Sequence, residues 1–354
     1  MITRVTSVRP RPSLATEGTR ETPSPAARAG GFVVLLVALA AAVLASLAVG
    51  TRAIPPAEVL QILLGNDTGA NASVINDLRV PRTLIGLVAG SALGVSGALI
   101  QAVTRNPLAD PGILGVNAGA AFAMAIGTGL AGVTGSFDTL ALAYAGAFGA
   151  SVLVYAIGSL GEGGGSPVRL ILAGVALGAV LAGITSAIVL TDRARFAGMT
   201  AWQSGSLLDR DVGLLTWAGP LVLLGLGVAL AIGSSLNAIA LGDDLASALG
   251  ARVVRTRVFA VLAVMLLAGS ATALAGPISF VGLMVPHAVR WIVGPDQRWI
   301  IAHSVLAAPV LLLLADVVGR VVMPPGELPA GIVTALIGAP VLIVLVRRRK
   351  ASEL

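Results

Sequence analysis

Arg79, Arg82 and Arg320 stand at the ends of apolar runs, where charged side chains are scarce. A guanidinium offers five N–H donors in a planar fork and holds carboxylates through charge-assisted hydrogen bonds. Three of them could therefore capture acidic groups on a partner. The plainer use is snorkelling, with the stem along apolar surface and the charge at headgroup level. Asp316 lies four residues before Arg320, so on a helix the two share a face and can pair. An isolated carboxylate at membrane depth is expensive, so pairing is its expected state. A proton relay would need a second partner, and none is evident. His287 follows Pro286, and His303 stands alone; with 0 Cys and no clustered carboxylates, they make a poor metal site. No metal ligand and no catalytic residue is assigned. The chain carries no HExxH or GxSxG motif and no P-loop, so protease, hydrolase and nucleotide-binding chemistry are not expected of it.

The elements that carry these residues are dictated by composition. Of 354 residues, 56% are hydrophobic and 11% charged, and mean hydropathy is +0.95. Soluble domains carry about 25% charged residues, so lipid is the expected solvent. Gly is abundant at 44 residues and aromatics are 4%, which suits closely packed membrane helices and not a β-barrel with aromatic girdles. The predicted class is an all-α polytopic membrane protein. Ten apolar runs succeed one another, at about 31–49, 83–103, 112–131, 139–160, 168–190, 212–233, 257–275, 278–294, 299–322 and 330–346. The first is long for a signal-peptide core and is taken as an uncleaved span. Ala275-Gly276-Pro277 joins the seventh and eighth so tightly that one of them must be short or broken. Residues 1–30 read as a disordered tail, 31–349 as the membrane domain and 350–354 as a short C-terminal tail. With the N-terminus inside, 16 of the 23 Lys and Arg fall on inside segments and 7 outside, which puts both termini in the cytoplasm. The net charge of +6 is spread between apolar runs, so nucleic acid is not an expected partner.

Three connections stand out. Residues 50–82 lie outside, with a short helix expected around 56–64. Residues 191–211 lie outside, with Trp202 expected at interfacial depth. Residues 234–256 lie inside and read as short helices, in which Asp243 or Asp244 caps a turn carrying Leu245 and Leu249, and Gly250 ends it. The most specific stretch runs from Arg79-Val80-Pro81-Arg82 through Gly97 and Gln101 to Arg105-Asn106-Pro107-Leu108-Ala109-Asp110-Pro111-Gly112, ending at Gly115. Gly90 and Gly94 form a small-xxx-small face, and Asn106-Pro107 and Asp110-Pro111 break the backbone. Generic packing explains the glycines but not the whole composite.

This stretch resembles the signature of the iron-siderophore and vitamin B12 permeases of type II ABC importers. Two further stretches agree, in family order: Gly276-Pro277-Ile278-Ser279-Phe280-Val281-Gly282-Leu283 with Pro286, His287 and Arg290, and Asp316 with Arg320, Glu327-Leu328-Pro329-Ala330-Gly331 and Gly338-Ala339-Pro340. The resemblance covers about residues 31–349. It implies a ten-helix permease of a bacterial plasma membrane, paired with a second permease as a homodimer or heterodimer. It implies two copies of a cytoplasmic ATPase that hold the ATP and Mg, this chain binding no cofactor itself. It also implies an extracytoplasmic binding protein, a lipoprotein or a periplasmic protein, whose acidic groups dock on Arg79, Arg82 and Arg320. Asp243, Ala246, Leu249 and Gly250 match the coupling helices that meet the ATPase. Gly97, Gln101, Asn106, Pro107, Pro111, Gly115, Pro286, His287 and Arg290 belong to the family's structural motifs. Gly174, Gly178, Thr185 and Ser186 lie on the span that, with span ten, lines the family's translocation path; helix packing explains those small residues equally well. A ferric siderophore is the cargo this implies, with haem or cobalamin as alternatives. An ion-coupled transporter would need intramembrane carboxylates around a midplane site, and the span centres are nearly free of charge.

Overall fold

The computed structural model describes residues 24–66, 69–129, 131–133, 135–159, 167–191 and 197–352. Through them run α1 (Pro25–Ala48), α2 (Pro56–Leu63), α3 (Val80–Thr104), α4 (Val116–Gly129), α5 (Ser136–Ser159), α6 (Pro167–Thr191), α7 (Ala197–Gln203), α8 (Leu215–Ala240), α9 (Asp243–Ala248), α10 (Val253–Ala275), α11 (Val281–Val293), α12 (Gln297–Val322) and α13 (Ala330–Ser352). A π-helical turn, Val74–Arg79, leads directly into α3, and 3-10 turns at Pro111–Leu114 and Val212–Leu214 precede α4 and α8. No strand occurs among the described residues. Seven helices are long and apolar enough to cross a membrane: α1, α3 with its π turn, α5, α6, α8, α10 and α12. The shorter apolar helices α4, α11 and α13 bring the set to the ten runs of the sequence.

Several boundaries differ from the sequence reading, each for a local reason. Helix α1 begins at Pro25, inside the stretch taken as tail, because Ser24 accepts a hydrogen bond from the Ala27 N–H at 3.2 Å and Pro25 occupies the first turn. Residues 1–23, the rest of that stretch, lie outside the described residues. At the other terminus α13 continues to Ser352, through most of the expected C-terminal tail. Helix α2 forms where it was expected. The tight join after α10 produces the short span: α11 has 13 residues and starts only at Val281. Gly276 takes φ 75° there, and a Cβ on it would stand 2.2 Å from the Trp202 carbonyl oxygen. Trp202 is buried against this break, at 5% exposure.

Helices α3 and α10 form the centre of the bundle, while α1, α6 and α8 are mostly exposed. The exposed faces are apolar, with Leu172, Val175 and Val180 on α6 and Leu223 and Leu224 on α8, so they require lipid or another protein as neighbour. The centre is dense because α3 presents small residues. A Cβ on Gly90 would meet the Pro309 backbone at 2.6 Å, one on Gly94 the Ala308 side chain at 2.4 Å, and one on Gly97 the Gly282 carbonyl oxygen at 1.9 Å. Helix α3 therefore lies backbone-close to α12 and α11, with no slack for sliding. It spans the bundle from Arg82 at one end to Arg105 at the other, which at 1.5 Å per residue is roughly 35 Å.

Candidate functional site

Polar chemistry gathers at the two ends of the bundle. At the first end, Asp316 is fully buried and accepts from two guanidiniums. Arg82 donates from Nε to both carboxylate oxygens at 2.9 Å and from a terminal nitrogen at 2.7 Å. Arg320, one turn further along α12, donates to Oδ2 from Nε at 3.1 Å and from a terminal nitrogen at 2.7 Å. The expected Asp316–Arg320 pair exists, and Arg82 enlarges it. The remaining Arg320 donors reach the Ser46 carbonyl at 2.8 Å, the Val49 carbonyl at 3.1 Å and Ser46 Oγ at 2.9 Å. All five donors of that fork are thus held inside the chain. Arg79 donates to the Leu47 carbonyl at 2.6 Å and to the Arg52 carbonyl. The three arginines therefore close the end of α1 onto α3 and α12.

Glu327 completes the cluster: its Oε2 accepts from Arg82 at 2.6 Å. It stands in the connection between α12 and α13 and is 21% exposed, where Asp316 is sealed. Sequence reasoning placed Glu327 inside a motif but gave it no partner, since the two residues lie 245 positions apart. A solvent-facing cavity of about 230 Å³ opens above, lined by Arg79, Arg82, Arg210, Arg320, Asp77, Asp209 and Glu327. Burial lowers the Arg210 pKa below its ordinary value, against the opposing charge of Asp209. Within the cluster, three guanidiniums face two carboxylates, so the cluster itself keeps an excess of one positive charge.

At the second end, α9 follows α8 after Gly242, whose φ is 111°. Gly242, and neither aspartate, holds the cap position, and Asp243 is used differently. Its carboxylate takes Arg105 from the end of α3 and Arg257 from α10, the latter at 2.9 Å. Arg105 also donates from Nε to the Ile239 carbonyl at 2.8 Å. Ala246 is fully buried and packs with Ile239 and Val253, seating α9 on α8 and α10. Leu241, Leu245 and Leu249 face outward, 60%, 50% and 64% exposed. Leu245 and Leu249, four residues apart, share one face of α9 beside the ion pairs, and Leu241 closes α8 before the break at Gly242. Gly250 ends the turn at φ 84°. Nearby, His303 is buried with Nδ1 2.9 Å from the Trp299 carbonyl and Nε2 3.1 Å from the Arg28 carbonyl, tying α1 to α12.

This arrangement has known relatives. A model of the FecCD transport family matches residues 37–348. The chain belongs to the FecCD transport family. It is 50% identical over 315 residues to the ferric enterobactin transport system permease protein FepD of Escherichia coli (strain K12), covering 89% of this chain and 94% of that one. It is 36% identical over 317 residues to the probable siderophore transport system permease protein YfiZ of Bacillus subtilis (strain 168), covering 90% and 95%. Among solved structures, a metal-chelate type ABC transporter in an inward-facing conformation superposes with a TM-score of 0.78 at 27% identity, covering 90% of this chain and 99% of that chain.

The motif residues of this FecCD-family chain occupy two sets of contacts. Gln101 donates to the Gly282 and Leu283 carbonyls at 3.3 and 3.1 Å, beside the Gly97 contact, and so fastens α3 to α11. Asn106 accepts from the Leu108 N–H at 3.0 Å, and Asp110 from the Gly112 N–H at 2.8 Å, so two Asx turns with Pro107 and buried Pro111 carry the chain from α3 to α4. Burial holds the Asp110 carboxyl above the usual carboxylate range, more strongly than the Gly112 hydrogen bond lowers it. Gly115 ends the 3-10 turn at φ 74°. On α11, Pro286 is buried, His287 meets Trp291 edge-on at 5.0 Å, and Arg290 is half-buried. The four α6 residues separate. A Cβ on Gly174 would stand 1.6 Å from the Ile113 carbonyl oxygen, and Thr185 is buried, whereas Gly178 is half-buried and Ser186 exposed. Gly174 is thus where α6 meets the turn before α4, while Ser186 belongs to the open face of α6.

Proposed function

We propose that this chain is the membrane-spanning permease of an ABC importer that moves a ferric siderophore inward across the bacterial cytoplasmic membrane. The observation that carries the reading is the short helix α9. It exposes Leu245 and Leu249 at the bundle end that also contains Arg252, Arg255, Arg257 and Arg298, and it rests on the transmembrane core through Ala246 and Asp243. A surface of that kind suits a rigid soluble partner that must push on the membrane domain. The partner is a cytoplasmic ATPase in two copies, which binds the ATP and Mg. The basic end is the cytoplasmic one, so both termini are cytoplasmic.

At the opposite end the positive excess draws an acidic binding protein. Arg320 and Arg79 have donors committed to the chain itself, so direct contact falls to Arg82 at the cavity, where an incoming carboxylate competes with Glu327. The open face of α6, with Gly178 and Ser186, is offered to a second permease across the path, and the cargo passes between them. A ferric siderophore is favoured because the relatives are described as permeases for ferric enterobactin, Fe(3+)-citrate and other siderophores.

The test is co-purification of the tagged protein from membranes, followed by ATP hydrolysis and uptake assays in proteoliposomes. The expected outcome is a bound ATPase whose turnover rises with a binding protein loaded with ferric enterobactin, and a Leu249→Asp variant that loses the ATPase. A chain recovered without an ATPase under stabilising conditions overturns the importer reading. An importer stimulated by haem or cobalamin and not by any ferric siderophore overturns the cargo alone.

A further inference from the structure

We propose that Arg105 is a positioning residue that carries movement of α9 into α3, and so links the ATPase side of the protein to the arginine cluster at the far end. The inference rests on α9 being the ATPase dock.

The backbone at this position has no use for arginine. Arg105 ends α3 in the left-handed region, at φ 51° and ψ 31°, where glycine or asparagine is the ordinary occupant. Its side chain is what the site uses. Nε donates to the Ile239 carbonyl in the last turn of α8, and a terminal nitrogen grips Asp243, the first residue of α9. Arg257 holds the same carboxylate from α10. The hydrophobic seat of α9 belongs to α8 and α10, through Ile239, Ala246 and Val253. The side-chain hydrogen bonds that join α9 to α3 run through Arg105.

The consequence is mechanical. A partner seated on Leu245 and Leu249 pushes on the outer side of α9, whose inner side is anchored at Ala246. A helix of 6 residues tilted about that anchor moves Asp243, three positions away, at its other end. Arg105 follows Asp243, and α3 follows Arg105. Helix α3 cannot absorb the displacement internally, because Gly90, Gly94 and Gly97 hold it backbone-close to α12 and α11. The movement reaches Arg82, which grips Asp316 and Glu327. The ion pair at the start of this route is 37% and 43% exposed. Pairs of that kind add little to stability, so its loss should leave the fold intact.

The decisive variant is Arg105→Gly, which removes the side chain while giving the left-handed position its preferred residue. In the reconstituted complex with ATPase and binding protein, it should fold with unchanged or raised Tm and bind the ATPase. Basal ATP hydrolysis should stay within about twofold, while ferric-enterobactin uptake and stimulation by the binding protein fall by about tenfold or more, a normal coupling magnitude. Arg105→Lys keeps the charge but loses the Nε donor to Ile239, and should retain partial uptake. The native chain has 0 Cys, so single spin labels at Ser247→Cys on α9 and Leu78→Cys, in the turn that runs into α3, report the two ends separately. Trapping with ATP and vanadate should shift both labels in the otherwise native chain, but only the label at position 247 in Arg105→Gly.

Three results would overturn the proposal: normal uptake by Arg105→Gly, loss of ATPase binding in that variant, or a persistent shift at position 78. If Leu249→Asp keeps its ATPase and its stimulation, the reading of α9 as the dock fails, whatever Arg105→Gly does. If Leu249→Asp loses the ATPase while Arg105→Gly behaves normally, only the present inference fails.

Discussion

Asp316→Asn is the most demanding test of the buried cluster. The native carboxylate is sealed from solvent and accepts from Arg82 and Arg320, which are 6% and 2% exposed. Asparagine keeps one acceptor oxygen, but sets an amide NH₂ against guanidinium donors and removes the charge that balances them. Removing one partner of a buried ion pair costs about 3–5 kcal/mol, because the other charge stays buried without compensation. Here two guanidiniums lose the same partner, while Glu327 still faces Arg82 and the Ser46 and Val49 carbonyls still face Arg320, so the expected loss stays within that range. Against a total stability of about 5–15 kcal/mol, this is roughly a fifth or more. The assay is reversible unfolding in lipid nanodiscs, with Glu327→Gln beside it as a control: Glu327 is 21% exposed and Arg82 keeps Asp316, so this change is expected to cost less than Asp316→Asn. Charge balance, and not the ions themselves, is the stabilising feature. The triple variant Arg82→Met, Asp316→Leu, Arg320→Met should therefore be more stable than Asp316→Asn, while losing the docking function of Arg82. An Asp316→Asn protein within about 1 kcal/mol of the parent would refute the reasoning, since a sealed carboxylate between two arginines cannot be that dispensable.

The cluster also makes a prediction about docking. Glu327→Gln removes the carboxylate that competes for the outer Arg82 donor and should tighten binding-protein affinity by about fivefold, the equivalent of about 1 kcal/mol, while Arg82→Glu weakens it; surface plasmon resonance on nanodiscs measures both. Gly97→Ala should abolish folded expression or cost at least about 3 kcal/mol, since its Cβ would stand 1.9 Å from the Gly282 oxygen. Gly227→Ala on α8, with nothing within 4 Å, should be neutral or stabilising by up to about 1 kcal/mol; fluorescence size-exclusion with thermal challenge separates the two. Asp110 has a folded pKa raised by burial, so the folded state binds its proton more tightly. The stability this adds at low pH is lost as pH rises through the folded value. Asp110→Asn, which keeps the acceptor for the Gly112 N–H, should flatten that slope without loss at neutral pH. Asp110→Ala should lose about 1 kcal/mol with the turn's hydrogen bond; Tm against pH in nanodiscs checks each.

The spans were legible because apolar run length is imposed by the bilayer and needs no tertiary information. Even the short span was foreshadowed, by the three residues between runs seven and eight. The Asp316–Arg320 pair was legible for a similar reason, as four residues on a helix fix a shared face. What the sequence left open depends on contacts that no spacing encodes. Arg82 meets Asp316 across 234 positions and Glu327 across 245, and the acceptors of Arg79 and Arg320 include main-chain carbonyls at the end of α1. Main-chain acceptors leave no trace in side-chain pattern. The cap of α9 was misassigned because Asp243 suits a cap by type, yet two arginines from other helices compete for it. Gly174 and Ser186 looked alike as small residues on one helix; only the Ile113 carbonyl distinguishes packing from open face.

The same geometry changes what an arginine motif means for docking. Three basic residues near the mouth of a membrane protein suggest three hooks for acidic groups. In this fold Arg320 already satisfies its fork and Arg79 reaches back to the end of α1. Two kinds of work are therefore divided within one cluster. The buried charges set the shape of the mouth, because moving any one strands the others. The charge they leave uncompensated acts at a distance: within a Debye length of about 8 Å, a positive excess at the rim of a low-dielectric surface raises the encounter rate of an acidic partner without touching it. Arg82 is the residue in both groups, since one of its neighbours is sealed and the other, Glu327, opens to solvent. Neutralising Arg52, exposed above the cluster, should slow association and weaken its salt dependence, leaving dissociation unchanged. Removing the Arg82 guanidinium should instead speed dissociation. Stopped-flow association across a salt series separates the two, and equal effects of both variants on dissociation would mean that steering and contact are not divided in this way.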